Sequence, residues 1–471
     1  MTYISRRGVL RGATAIGFTS AAGLLGTMGT AHAADTSGYK ALVCVFLKGG
    51  MDAMDTVLPT DAESHTALRE ARVDMFNQYG VGSGDSSRDI ANLLPLGTAR
   101  DFGGRSFGLP RELAPLHDLY AGGKMAIVGN VGPLVEPTTR TTMENKSAVV
   151  PPRLFSHNDQ QSTWMTGGLE GRRIGWGGEF ADRVAPLLGT AKTFASITAS
   201  RPEPFLDADR TRQYPAKTSG AVKLSVVEDE WRLGGDADAA RQVLADHYAS
   251  RGRQSDNPLI RDLIAANTRT QDDNALFTGA IADAPLLTTV FPDTKLGRQL
   301  ETVALTIAIQ GTLGVSRQLF YAERGGFDTH DRQVQDLPAR HGEVAEAIAA
   351  FNAAMVELGR DEEVTLFTMS DFGRTAFVNG DGTDHGWGGH HFVVGGAVRG
   401  GEIYGDIPDL DFGSERYTKS RGRMIPDMSV DQYAASLGKW FGLAGDELRN
   451  ALPHLGNFDG VPDLFGLGAT V

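Results

Sequence analysis

Five of the eleven histidines, His330, His341, His385, His390 and His391, fall between residues 330 and 391. Four of them lie in two turns rich in Asp and Gly, Asp328-Thr-His330 and Asp384-His385-Gly-Trp-Gly-Gly-His-His391. Carboxylates and imidazoles are the hard and borderline donors that a divalent ion takes, and glycine lets the backbone bend tightly around one. With Asp52 and Asp371 from two other polar segments, the candidate ligand set is Asp52, Asp328, His330, Asp371 and His385. Zn, Mn or Ca would suit it, as one ion or two, and an iron site from His330, His385 and Asp371 is a rival. The plainer alternative is that these residues cap turns and helices. Asp55 reads equally as a helix cap and a ligand. His341 is expected at the surface. His390 and His391 start the apolar run Phe392-Val-Val394, so one ring is expected to face the core and the other a cleft.

The segment Leu154-Phe-Ser-His-Asn-Asp-Gln-Gln-Ser-Thr-Trp164 offers a second kind of chemistry. Ser156 precedes Asp159 by three residues, the spacing of a helix N-cap. The same position suits a nucleophile, because the amides and dipole of a helix start stabilise an oxyanion or a phosphate. Thr163 is a weaker rival for that role. Arg374, three residues after Asp371, can grip an anionic ester oxygen through two N–H groups, or form a surface ion pair. Lys48, His157 and His390 complete the candidate substrate contacts. The chain has no G-x-S-x-G elbow, no P-loop and no G-x-G-x-x-G after a strand. Nucleotide-dependent transfer and the usual α/β-hydrolase chemistry are thereby disfavoured.

Four apolar segments must position these residues. Ala41–Leu47 is a continuous apolar run, too short for a helix and bounded by Gly49-Gly50, the pattern of a parallel strand buried on both faces. Met125–Val128, Gln318–Ala322 and Val364–Met369 read likewise. Between the last two, Val344, Ile348, Phe351, Met355 and Leu358 recur at helical spacing, with Pro338 expected in the first turn. Such a strand–helix–strand unit is right-handed, so its strands run parallel and ligands gather beyond their carboxyl ends. Lys48 to Asp55, Gly325 to Asp331 and Ser370 to Arg374 stand there, which puts all three polar motifs on one sheet edge. Residues from about 200 to 312, with helices at 236–251 and 297–310, read as a mostly helical insertion. Residues 430–441 read as a closing amphipathic helix.

The 471 residues, 41% of them hydrophobic, suffice for one large α/β domain or a few smaller ones. A net charge of −13 speaks against a nucleic-acid or anionic-membrane partner. The single Cys44 rules out a disulfide framework and Cys-based metal sites. At the start, Arg6-Arg7, a weakly apolar run from Ala13 to Met28 and Ala31-His-Ala33 make a twin-arginine (Tat) export signal. It covers residues 1–33 and leaves 34–471 as the exported domain. The Tat machinery is then a partner, the location is periplasmic or secreted, and the mature chain carries no transmembrane anchor.

Together the motifs resemble a bacterial family known as domain of unknown function 1501, over essentially the whole chain. The likeness rests on the twin-arginine leader, Phe46-Leu-Lys-Gly-Gly-Met-Asp52, Phe327-Asp-Thr-His330 and Ser370-Asp-Phe-Gly-Arg-Thr375. It continues through Gly382-Thr-Asp-His-Gly-Trp-Gly-Gly-His-His-Phe392 and Ile425-Pro-Asp-Met-Ser-Val-Asp-Gln-Tyr433. That family is placed in the alkaline phosphatase/sulfatase-like superfamily. The resemblance implies an α/β three-layer sandwich, a largely parallel sheet with helices on both faces and metals at its carboxyl edge. It implies a metal-dependent hydrolase acting on a small-molecule or glycan ester of phosphate or sulfate. By order along the chain, Asp52 would be the first-strand ligand, Ser156 the nucleophile and Asp328 with His330 the middle pair. Asp371 would be the next Asp, and His385 or His390 the last His. Phe372 stands where superfamily members carry a second imidazole, and a degenerate member that binds an envelope glycan or assembly partner is the alternative.

Overall fold

The computed structural model describes residues 34–470, apart from 36, 81–85, 169 and most of 222–256. The leader and most of the expected helix at 236–251 lie outside the described residues. The strands that build the site are β1 (Lys40–Leu47), β2 (Met125–Gly132), β3 (Ser196–Thr198), β4 (Tyr214–Lys217) and β5 (Arg317–Arg324). They continue with β6 (Val364–Ser370), β7 (Arg374–Asn379), β8 (Gly382–His385), β9 (Gly389–Val394) and β10 (Ile403–Gly405). Helices α1 (Ala62–Ala71), α2 (His157–Thr166), α3 (Trp176–Leu188) and α4 (Pro258–Ala282) are followed by α5 (Lys295–Ala308), α6 (Gln333–Glu357) and α7 (Val430–Phe441).

The main sheet runs β10-β2-β9-β6-β1-β5-β3-β4, with β1 parallel to both β5 and β6. Strand β9 runs against its two neighbours, β6 and β2, and the short edge strand Gly220–Ala221 runs against β4. Alternation along β1 divides the core. Val43, Val45 and Leu47 meet α5 and α6 on one face, while Leu42, Cys44 and Phe46 meet α3 and α7 on the other. Both faces are covered, which is why β1 reads as an unbroken apolar run. The result is an α/β fold of three layers. No helix among the described residues is long and apolar enough to cross a membrane.

Register decides where the chemistry goes. Leu47, the last residue of β1, pairs level with Arg324 of β5 and Ser370 of β6. The chain therefore leaves all three strands at the same height, and the three polar motifs emerge on one edge.

Two details depart from the sequence reading. Helix α6 begins at Gln333, so Pro338 lies inside it rather than in its first turn. Its apolar stripe extends back through Leu337 and His341, four residues apart, and so His341 is buried instead of exposed. Its Nε2 lies 3.3 Å from Thr56 Oγ1, and burial pushes the ring down to about 4. The stretch 200–312 is also less of an appendage than expected. β4 and the short strand Gly220–Ala221 extend the sheet, and α5 packs into its core through Leu296, Leu300 and Val303.

Candidate metal centre

Four side chains converge beyond the ends of β5 and β6. Asp328 Oδ1 lies 3.1 Å from His330 Nε2 and 3.3 Å from His385 Nε2, and Asp328 Oδ2 lies 3.2 Å from His157 Nε2. The Nε2 atoms of His330 and His385 are 2.8 Å apart. Ligand atoms held at about 2.1 Å around one ion are spaced by about 3.0–3.4 Å, the edges of an octahedron or a tetrahedron. The three separations to Asp328 fall at that spacing, and the 2.8 Å between His330 and His385 is shorter than it.

The far nitrogen of each ring is already occupied. His157 Nδ1 faces Asp371 Oδ2 at 2.6 Å, His385 Nδ1 faces the Phe155 carbonyl at 2.7 Å, and His330 Nδ1 faces Asp384 Oδ1 at 3.2 Å. For His157 and His385 the acceptor hydrogen-bonded at Nδ1 means that Nδ1 carries the hydrogen, so in the neutral ring the lone pair sits on Nε2 and points inward; His330 Nδ1 has only the charge of Asp384 beside it. Two lone pairs facing each other across 2.8 Å repel unless a proton or a cation lies between them. His157 Nε2 is buried and lacks a hydrogen bond. An imidazole whose outer N–H is held by a carboxylate or carbonyl is how proteins present a metal ligand. The donor set fits a divalent ion.

The local fold explains each placement. His157 and Gln161 are one turn apart on α2, and both donate to Asp371 Oδ2, at 2.6 and 2.8 Å. Before that helix, Arg153 and Phe155 adopt φ of 53° and 73°, a left-handed turn that aims the Phe155 carbonyl at His385. In the β7–β8 hairpin Arg374 pairs directly with His385. Gly49 and Gly50 have φ of 116° and 92°, and a Cβ there would stand 2.3 Å from the Asp328 nitrogen and 2.5 Å from the Phe372 ring. Only glycine lets the β1 turn pass this close. Phe372 is buried against the rings of His157 and His385, at 4.9 and 4.7 Å, so an apolar wall stands beside the ligands.

Charge is distributed unevenly. The Asp371 hydrogen bond, aided by the charges of Asp371 and Asp328 and opposed by burial, holds His157 above the ordinary histidine value. Burial and the nearby Arg374 push His330 down, and burial with the neighbouring His157 and Arg374 does the same for His385, which keeps both rings neutral donors.

Of the residues singled out in the sequence, Asp328, His330 and His385 come together, joined by His157, which the sequence suggested for substrate contact. Asp371 lies behind His157 as its acceptor and also takes the Gly49 N–H at 3.1 Å. Asp52 belongs elsewhere. It is 1% exposed, with Arg72 bound across both oxygens at 2.7 and 3.0 Å and Gln333 at 2.6 Å. Arg374 is wholly buried and holds Asp328 at 2.8 Å, so it cannot reach a substrate. Lys48 is committed to Glu203 and Glu323, at 2.5 and 2.8 Å. Asp55 is buried between Arg88 and Tyr79. His390 and His391 are both buried; His390 lines a pocket with Met54, Tyr417 and Met424 that includes none of the converging side chains, and the Asn130 N–H occupies its Nδ1 at 3.0 Å. Ser156 caps α2 without a side-chain cap bond, its Oγ donating instead to Asp159 at 2.9 Å. Sequence reasoning did not find Gln161, Asp384 or Arg72. Only Gln161 left a signal, its four-residue spacing from His157.

The sequence matches the family described as "Protein of unknown function (DUF1501)" over residues 39–429. The chain belongs to the DUF1501 family. No curated protein matches it. Among solved structures, the PsFucS1 sulfatase from Pseudoalteromonas sp. is similar at 10% identity with a TM-score of 0.33, covering 86% of this chain and 68% of that one. Ps i-CgsB is similar at 8% identity and a TM-score of 0.35, covering 89% of this chain and 76% of that one. Its complex with k-i-k-neocarrahexaose gives 7% and 0.33, covering 88% and 76%.

Proposed function

We propose that this DUF1501 chain is an exported, metal-dependent hydrolase of phosphate or sulfate esters. The observation that carries the reading is the inward convergence of three imidazole Nε2 atoms on Asp328, each ring backed by an acceptor. His157, Asp328 and His385, whose ligand atoms all lie within 4.8 Å of one another, would hold a divalent ion (Zn, Mn or Ca), with His330 Nε2 adjoining at 2.8 Å from His385. Such an ion, when bound, supplies Lewis acidity toward an ester oxygen. Asp371 and Gln161 keep His157 in place, and Asp384 keeps His330 in place. Arg423, stacked on Phe155 at 4.2 Å with its Nε on the His385 carbonyl, offers charge to an anionic ester at the rim. Ser156 Oγ is the nucleophile candidate, with Asp159 as the base that takes its proton while the new ester bond forms and the alcohol leaves. The leader at 1–33 would send the protein through the Tat route to the periplasm or beyond.

Purified protein, stripped of metal and reloaded with Zn, Mn or Ca, should hydrolyse nitrophenyl phosphates or sulfates. A His330→Ala, His385→Ala variant should lose at least about a hundredfold of that rate. Equal turnover by the variant would end the proposal. A folded protein that binds no metal and cleaves nothing would point instead to a binding role in the envelope.

A further inference from the structure

We infer that the centre takes one divalent cation per chain, and that the buried Arg374 guanidinium stands as a second, permanent positive charge beside it. The inference rests on the metal reading proposed above. Two-ion sites hold their metals about 3.5–4 Å apart and need donors enough for both. Here the donors are nearly spent. Asp328 Oδ1, the oxygen that faces His330 and His385, also accepts from Arg374 Nη1 at 2.8 Å, so the guanidinium takes one of its lone pairs beside the place of the ion. Arg374 cannot withdraw. Its side chain is 0% exposed, with Nη1 also on the Gly49 carbonyl at 3.0 Å and Nε on Thr383 Oγ1 at 3.1 Å.

Of the other two carboxylates expected as ligands, hydrogen bonds fill Asp52 and take three of the four places on Asp371. A carboxylate has about four lone pairs. Asp52 gives two to Arg72, at 2.7 and 3.0 Å, one to Gln333 at 2.6 Å and one to the Met54 N–H at 3.1 Å. Asp371 spends Oδ2 on His157 and Gln161, at 2.6 and 2.8 Å, and turns Oδ1 to the Gly49 N–H at 3.1 Å. Phe372, between His157 and His385, closes the flank where a further imidazole would have to stand. A second cation would meet a fixed guanidinium and, from Asp52 and Asp371, a single remaining lone pair on Asp371 Oδ1.

The test is a count. Metal-free protein is titrated with Zn²⁺ and with Mn²⁺ by calorimetry, and gel-filtered protein is assayed for bound metal. The His330→Ala, His385→Ala variant, run in parallel, subtracts ions held elsewhere on this acidic chain. A difference of one equivalent per chain is expected. A difference of two overturns the inference and leaves the metal reading standing, whereas no difference overturns both. Arg374→Lys, which keeps the charge, is expected to keep the single equivalent. A second equivalent gained by that variant would overturn the part given to Arg374.

Discussion

Asp328 sits where three imidazoles and a guanidinium meet. Burial works to raise its carboxyl, but the Arg374 bond and charge, with His157 and His330, outweigh that and hold it below the usual carboxylate value. It therefore stays an anion under mildly acidic conditions. His157 behaves oppositely, favouring its proton, which a metal must displace. Metal affinity should rise between pH 6 and pH 8 with release of a proton, measurable by calorimetry in buffers of different ionisation heat. Asp371→Asn removes the acceptor behind His157 without removing a ligand, and should weaken metal binding by about 10–100-fold while the melting temperature changes little. Arg72→Met would leave Asp52 charged, buried and unpaired. A loss of about 3–5 kcal/mol, read from denaturant unfolding, is expected there with no direct effect on the metal.

Each ligand is delivered by the end of an element. β5 and β6 stop level with each other, α2 starts with His157, and the β7–β8 hairpin sets Arg374 opposite His385. The turn after β1 packs tightly, since a Cβ on Gly50 would meet the Phe372 ring. Gly50→Ala should cost about 2 kcal/mol, from its positive φ and the clash with that ring, and should weaken metal binding as the Phe372 wall shifts. Unchanged metal affinity in a destabilised variant would separate the wall from the ligands. Strands β1, β2, β5 and β6 were legible because burial on both faces leaves continuous apolar runs. The start of α6 was misplaced because a proline suits a first turn, whereas here the buried Gln333 and Leu337 bind about one more turn to the core ahead of it.

Across the whole molecule, burial holds His341 and His390 near 4 and His391 near 3. Unfolded histidine titrates near 6.5, so below that pH the unfolded chain takes up protons that the folded chain refuses. Stability should be full above about pH 6.5 and fall steadily toward pH 4, by up to about 3 kcal/mol per buried ring. Thermal melts across that window should show the slope, and His390→Gln should flatten it. A melting temperature independent of pH between 4 and 6.5 would contradict the burial. What the chain alone determined was the parallel sheet, its crossover and the edge that carries polar motifs, because strand burial and crossover handedness are local and general. It also placed Asp328, His330 and His385 in one vicinity. Tertiary structure alone decided which acid faces the imidazoles. Asp52, Asp328 and Asp371 are alike as residue types, each just past a strand, and only the partners brought from α2, α6, Arg72 and Arg374 distinguish them. Those partners are far away in sequence, and a carboxylate's role is set by what fills its lone pairs.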